Sequence, residues 1–138
     1  METCSLASPR RTREILDKHG IILTKKYGQN FLVDNNILTK IIEAVNPQKE
    51  DNILEVGPGI GTLTLPLARR CRRLVAVEID ERLLPALAET LMDNANVKII
   101  KGDIKKIDLE ELYWQEFKEG ALKVAANLPY YVTTPFLF

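Results

Sequence analysis

Histidine and cysteine are scarce in this 138-residue chain: His19 is the single histidine, and the cysteines are Cys4 and Cys71. Two cysteines make no disulfide framework, and one added histidine makes no metal constellation. Such usage fits a reducing, cytoplasmic setting. No apolar run approaches the ~20 residues of a membrane span, and the N-terminus lacks an apolar core of signal-peptide length. Net charge is missing too, because nineteen Lys and Arg balance nineteen Asp and Glu. Total charge therefore points to no polyanionic partner. No repeat or low-complexity stretch occurs. What remains is 46% hydrophobic and 28% charged, the composition of an ordinary globular domain.

Charge is nevertheless unevenly placed. Residues 1–30 hold six Lys or Arg against three Asp or Glu. Arg69, Arg70, Arg72 and Arg73 flank Cys71. On a neutral protein such a cluster is either a local RNA-binding patch or a solvated helix end.

The elements alternate. Ser8-Pro9 sets an N-cap and a first helical proline, predicting a short helix through Thr12, Ile15 and Leu16 that stops near Gly20. Asp34 can cap a second helix carrying Ile37, Leu38, Ile41, Ile42 and Val45, which Asn46-Pro47 ends. Strands are expected at 52–56, 73–78, 97–100 and 123–126, with helical patterns at 63–70, 83–91 and within 107–119. A last helix is expected from about Pro135. Strands alternating with helices predict an α/β fold with a doubly wound, mostly parallel sheet.

The first strand runs into Glu55-Val56-Gly57-Pro58-Gly59-Ile60-Gly61-Thr62. Alternating glycines between a strand and a helix let backbone approach a nucleotide-like ligand. The dinucleotide fingerprint wants its third glycine one residue later, where Thr62 stands. That spacing disfavours an oxidoreductase. The E-x-G-x-G-x-G pattern instead resembles motif I of methyltransferases that use S-adenosylmethionine. The alternative is a tight turn with no ligand.

Ligands of such sheets sit beyond the carboxyl ends of the strands. Polar residues gather there: the Glu55–Gly61 stretch, Glu78, Asp103 and Asn127. Glu78 is placed to accept both hydroxyls of a ribose, or is an exposed strand-end acid. Asp103 is placed to accept from an adenine amino group, or caps the next turn. In Asn127-Leu128-Pro129-Tyr130, proline keeps Leu128 out of the helical region, so nearby carbonyls stay available. Asn127 adds an acceptor and Tyr130 a flat ring. Those groups describe a pocket for a flipped-out base, or else a strand-ending turn.

Three stretches together resemble the ribosomal RNA adenine N6,N6-dimethyltransferase family: the Asn-Leu-Pro-Tyr tetrapeptide, the Glu55–Thr62 loop and Gln29-Asn30-Phe31-Leu32. Residues 27–34 and 131–135 are similar to its bacterial small-subunit (16S) branch. The resemblance implies a Rossmann-like class I S-adenosyl-L-methionine methyltransferase, truncated here after the fourth strand. Residues 1–34 would form an N-terminal helix and cofactor-closing segment. Residues 35–138 would be the N-terminal part of the methyltransferase domain, without the family's C-terminal helical domain. A fourth strand that is central in the family would become an edge here. The apolar ending Pro-Phe-Leu-Phe also reads as an interruption. The expectation is an N-terminal fragment, weak or inactive alone.

The resemblance also implies roles. Gln29, Asn30 and Leu32 close over S-adenosyl-L-methionine. Gly57, with Gly59 and Gly61, lies against its methionine part. Glu78 binds its ribose and Asp103 its adenine. Asn127 touches both cofactor and target amine, Leu128 and Pro129 supply a backbone acceptor, and Tyr130 stacks on the target base. The implied activity is dimethylation of N6 on two adjacent adenosines of small-subunit rRNA in a pre-ribosomal particle. The implied protein is monomeric at full length, metal-free and not membrane-bound. The alternatives are a large-subunit rRNA methylase of the macrolide-resistance type and a catalytically inactive RNA-binding assembly factor.

Overall fold

The computed structural model describes residues 6–22 and 35–126. Helix α1, Pro9–Lys18, starts where Ser8 Oγ accepts the Arg11 N–H at 3.2 Å, and it gives way to Gly20 at φ +63°. Helix α2, Asn35–Val45, turns Leu38, Ile41, Ile42 and Val45 to the core. It stops at Asn46, whose φ of 47° precedes Pro47. The cap expected at Asp34 and the helix expected from Pro135 lie outside the described residues.

Strands β1 (Asn52–Val56), β2 (Arg73–Glu78), β3 (Val97–Lys101) and β4 (Leu122–Ala126) form one sheet in the order β3-β2-β1-β4, every pair parallel. Between them run α3 (Thr64–Ala68), α4 (Leu84–Thr90, behind a 3-10 turn at Glu81–Leu83) and α5 (Leu109–Glu116, behind a 3-10 turn at Ile104–Lys106). The central strand is apolar without alternation because both its faces are covered. Ile53 packs with Leu38, Leu63, Leu67 and Leu74 on one face. Leu54 and Val56 pack with Val75, Val77, Leu112 and Phe117 on the other. The doubly wound sheet expected from the alternation is therefore present. A third cluster seats α1 on the loop after β1, through Leu16, Ile21, Ile60, Leu83 and Ala86. Among the described residues β4 is an edge strand, and Val124 on it is 49% exposed.

The arginine cluster divides. Arg69 and Arg70 are exposed at the end of α3. Arg72 Nε donates to Asn52 Oδ1 at 2.9 Å and its Nη2 to the Phe117 carbonyl at 2.9 Å. Arg73 donates to the Glu116 carbonyl at 2.7 Å and to Glu116 Oε2 at 2.8 Å. Neither expected reading describes these two. They donate to carbonyls at the end of α5 and fasten it to the start of β2.

Candidate active site

Strand register aligns the four carboxyl ends. Val56 pairs with Val77 on one side and with Ala126 on the other, and Glu78 pairs with Lys101. The glycine loop leaves this edge. Gly57 still donates to the Val77 carbonyl at 2.9 Å, and Gly61 closes a turn onto the Pro58 carbonyl at 2.9 Å. Gly57, Gly59 and Gly61 have φ of 69°, 62° and 95°. L-residues are strained there, which accounts for the alternating glycines. Gly61 has a second constraint. A Cβ on it would lie 2.9 Å from Thr90 Cγ2 and 3.3 Å from Leu87 Cδ1, both on α4. The bare side of Gly61 thus serves helix packing.

Glu78 ends β2 and is 4% exposed. Its Oε1 accepts the Gly59 N–H at 3.0 Å and its Oε2 the Asp80 N–H at 2.9 Å. Burial pushes its pKa up, against the pull of those N–H groups. Each carboxylate oxygen carries a further lone pair for another donor. The strand-end acid is therefore held by the glycine loop itself, not left exposed. Asp103 is half-buried and fills its alternative role: it caps the 3-10 turn, with Oδ1 accepting the Lys105 N–H at 3.0 Å.

Glu55 departs from expectation. It is 1% exposed and accepts a hydrogen bond from the Thr64 hydroxyl on α3. Burial lifts its carboxyl to about 8, with the nearby Glu78 adding to the rise. It ties β1 to α3 beneath the loop. The signal in the sequence was an acid inside a short run of Ile53, Leu54 and Val56, which demands a partner once that run is buried. Asp80 and Arg82 were also missed, although Glu78, Asp80 and Arg82 share an i, i+2, i+4 spacing.

Gln29, Asn30, Leu32, Asn127, Leu128, Pro129 and Tyr130 lie outside the described residues. Ala126, which precedes Asn127, is described and sits opposite Val56. Among the described residues no three His, Cys, Asp or Glu gather as metal ligands.

The sequence model of a family described as ribosomal RNA adenine dimethylase matches residues 22–138. The chain belongs to the ribosomal RNA adenine dimethylase family. It is 52% identical over 134 residues to a Listeria monocytogenes protein named ribosomal RNA small subunit methyltransferase A, covering 96% of this chain and 45% of that protein. A Ligilactobacillus salivarius protein of the same name is 50% identical over 137 residues, covering 99% and 46%. The chain thus spans about half the length of the curated relatives it matches. Among solved structures, a dimethyladenosine transferase from Plasmodium falciparum superposes with a TM-score of 0.60 at 26% identity, over 74% of this chain and 34% of that one. The 23S rRNA methyltransferase ErmE gives 0.54 at 35% identity, over 57% and 32%. The dimethylase fold seen in these neighbours is the Rossmann-like methyltransferase architecture, and the sheet of this chain follows it.

Proposed function

We propose that this chain forms the cofactor- and base-binding part of an S-adenosylmethionine-dependent enzyme that dimethylates N6 of two adjacent adenosines in small-subunit rRNA. The observation that carries the reading is the register of β1 with β4. Val56 opposite Ala126 sets the last residues of β1 and β4 at the same end of adjacent strands, and in the sequence these two residues immediately precede the first glycine of the loop and the Asn-Leu-Pro-Tyr tetrapeptide. Donor and acceptor sites on neighbouring strands are what group transfer needs. The named relatives at 50–52% identity favour the small-subunit branch over the macrolide-resistance type.

The described residues fit the cofactor. Gly57 and Gly59 present backbone without a Cβ, and Glu78 is held by two N–H groups with lone pairs to spare. Gly57 and Gly59 would face the methionine part, Glu78 the ribose diol, and Asp103 the adenine amino group. Gln29, Asn30 and Leu32 would complete the enclosure from the N-terminal segment. When bound, the cofactor supplies an electrophilic methyl on a positively charged sulfur.

The chain's own residues would prepare the acceptor. The lone pair of adenine N6 is delocalised into the ring, so the amine is a weak nucleophile. The Asn127 side chain and a carbonyl at Leu128-Pro129 would accept its two N–H bonds and favour a pyramidal nitrogen. Tyr130 would stack on the base. An amide is no general base, so the proton leaves to water after transfer. The RNA would be met in a pre-ribosomal particle in the cytoplasm, by a protein that is monomeric at full length. No helix among the described residues is long and apolar enough to cross a membrane.

The test is transfer of labelled methyl to unmodified small-subunit and large-subunit particles, offered side by side to the longest reading frame that carries this chain. Label in adjacent adenosines is expected. Label in large-subunit RNA instead would establish the macrolide-resistance alternative. Cofactor binding without transfer would establish the inactive assembly factor. Asn127→Ala is expected to abolish transfer with circular dichroism unchanged, and full turnover by it would remove Asn127 from the mechanism. Tyr130→Ala should raise KM for RNA more than KM for cofactor; equal rises would count against stacking.

A further inference from the structure

A ribose-binding carboxylate is useful only if its plane is fixed before the ligand arrives. The groups that fix Glu78 from one side are in the turn after β2. The Asp80 N–H donates to Glu78 Oε2 at 2.9 Å. Asp80 is itself 2% exposed, and both its oxygens are engaged by Arg82. Oδ1 accepts the Arg82 backbone N–H at 3.0 Å and Nε at 3.0 Å, while Oδ2 accepts Nη2 at 2.7 Å. The Arg82 fork does not stop there. Its Nη1 donates to the carbonyl of Ile22, beyond the end of α1, at 2.9 Å. A planar guanidinium bonded at two nitrogens to one buried carboxylate leaves that carboxylate little freedom. The direction of the Asp80 N–H is set accordingly, and Gly59 holds the opposite oxygen of Glu78 at 3.0 Å.

We propose that Asp80 and Arg82 are positioning residues of the cofactor site, acting through Glu78 to aim its carboxylate at the two ribose hydroxyls. The proposal rests on the S-adenosylmethionine reading above and adds residues to it. Neither side chain touches the ligand. Their contribution is the orientation of an acid whose own contacts are the loop and the turn. Arg82 also anchors that turn to the chain at Ile22, so the ribose acid, the glycine loop and the exit of α1 are held in one network.

The test compares two ligands, S-adenosylhomocysteine and its 2′,3′-dideoxy analogue, by isothermal titration calorimetry on the longest reading frame that carries this chain, as wild type, Asp80→Asn and Arg82→Lys. Asn keeps a cap but loses the charge, and Lys keeps the charge but loses the fork. Positioning through Glu78 predicts that S-adenosylhomocysteine weakens by roughly tenfold, about one charge-assisted hydrogen bond. The dideoxy analogue, which has no hydroxyls for Glu78, should change by less than about twofold, within the scatter of an uncoupled substitution. A purely structural role would weaken both ligands by the same factor, and that result overturns the proposal. Thermal melts identify any variant that fails to fold, in which case the other variant decides. If the wild type binds neither ligand, the cofactor reading falls and this inference with it. If the wild type binds both and the variants lose both equally, only the positioning role falls.

Discussion

Gly61→Ala places a methyl where the loop meets α4, and its cost follows from two separate terms. The residue has φ +95°, and left-handed backbone costs an L-residue about 1–2 kcal/mol. The new Cβ would also lie 2.9 Å from Thr90 Cγ2 and 3.3 Å from Leu87 Cδ1. Thr90 cannot turn its methyl away cheaply. It is β-branched on a helix, and its hydroxyl donates to the Ala86 carbonyl at 3.0 Å. Overpacking of this kind costs about 1–3 kcal/mol. The two terms together come to about 2–5 kcal/mol, a large share of a domain's typical stability. Thr90→Ser removes Cγ2 and keeps the hydroxyl. In the double variant the steric term with Thr90 should be relieved while the backbone term stays. Urea unfolding of the four proteins, followed by circular dichroism, should show a favourable coupling of about 1 kcal/mol or more. Additivity within about 0.5 kcal/mol would refute the packing role assigned to Gly61.

Two further outcomes separate structural from site residues. Burial raises Glu55 from 4.5 to about 8, so the folded state holds its proton more tightly than the unfolded chain. Stability from this residue is complete below pH ~4.5 and is lost as pH rises through about 8, on the order of 1 kcal/mol per unit; Glu55→Gln should flatten that slope in urea titrations at pH 5 to 8, and an unchanged slope would remove Glu55 as its source. Arg72→Ala strands Asn52 Oδ1, on a residue that is 0% exposed, and leaves the Phe117 carbonyl to the Glu119 N–H alone. It should cost about 1–3 kcal/mol, whereas Arg70→Ala at the exposed end of α3 should stay within about 0.5 kcal/mol; equal costs would refute the clamp.

The four strands were legible because each is a short apolar run bounded by polar or turn residues, and the alternation with helices dictated parallel pairing. The face of α5 was legible too: Leu109, Leu112, Tyr113 and Phe117 all pack against the sheet. Helix α3 was overread. Its apolar pattern spans 63–70, but the helix is Thr64–Ala68, and Arg70 closes a tighter turn onto the Leu67 carbonyl at 3.0 Å. The duty of Arg72 and Arg73 was not legible at all. Their partners include backbone carbonyls more than forty residues away, at Glu116 and Phe117, and carbonyls carry no residue code. Side-chain type told that the arginines were charged, not what they would neutralise.

The two acids around the loop show why position along a strand outweighs residue type. Glu55 shares a face of the sheet with Ile53, and Glu78 shares the same face with Leu74 and Ala76. Glu55 pairs with Ala76 in the register, so Glu78 stands one side-chain row further toward the carboxyl edge. At the inner row the covering element is α3, and Thr64 takes the carboxyl. At the outer row the helix has given way to the glycine loop, and the covering groups are the N–H of Gly59 and the N–H of Asp80. A hydroxyl from a helix makes Glu55 part of the core. Two backbone N–H groups hold one oxygen of Glu78 each and leave each a further lone pair, which is why the proposed ribose role falls to Glu78. The sequence grouped Glu55 with the strand-end polar residues but assigned a ligand only to Glu78, and the burial of Glu55 under α3 was not legible because the row that α3 covers is a property of the packed layers. Asp103 differs from both: its turn fixes one oxygen through the Lys105 N–H, whereas backbone N–H groups fix both oxygens of Glu78.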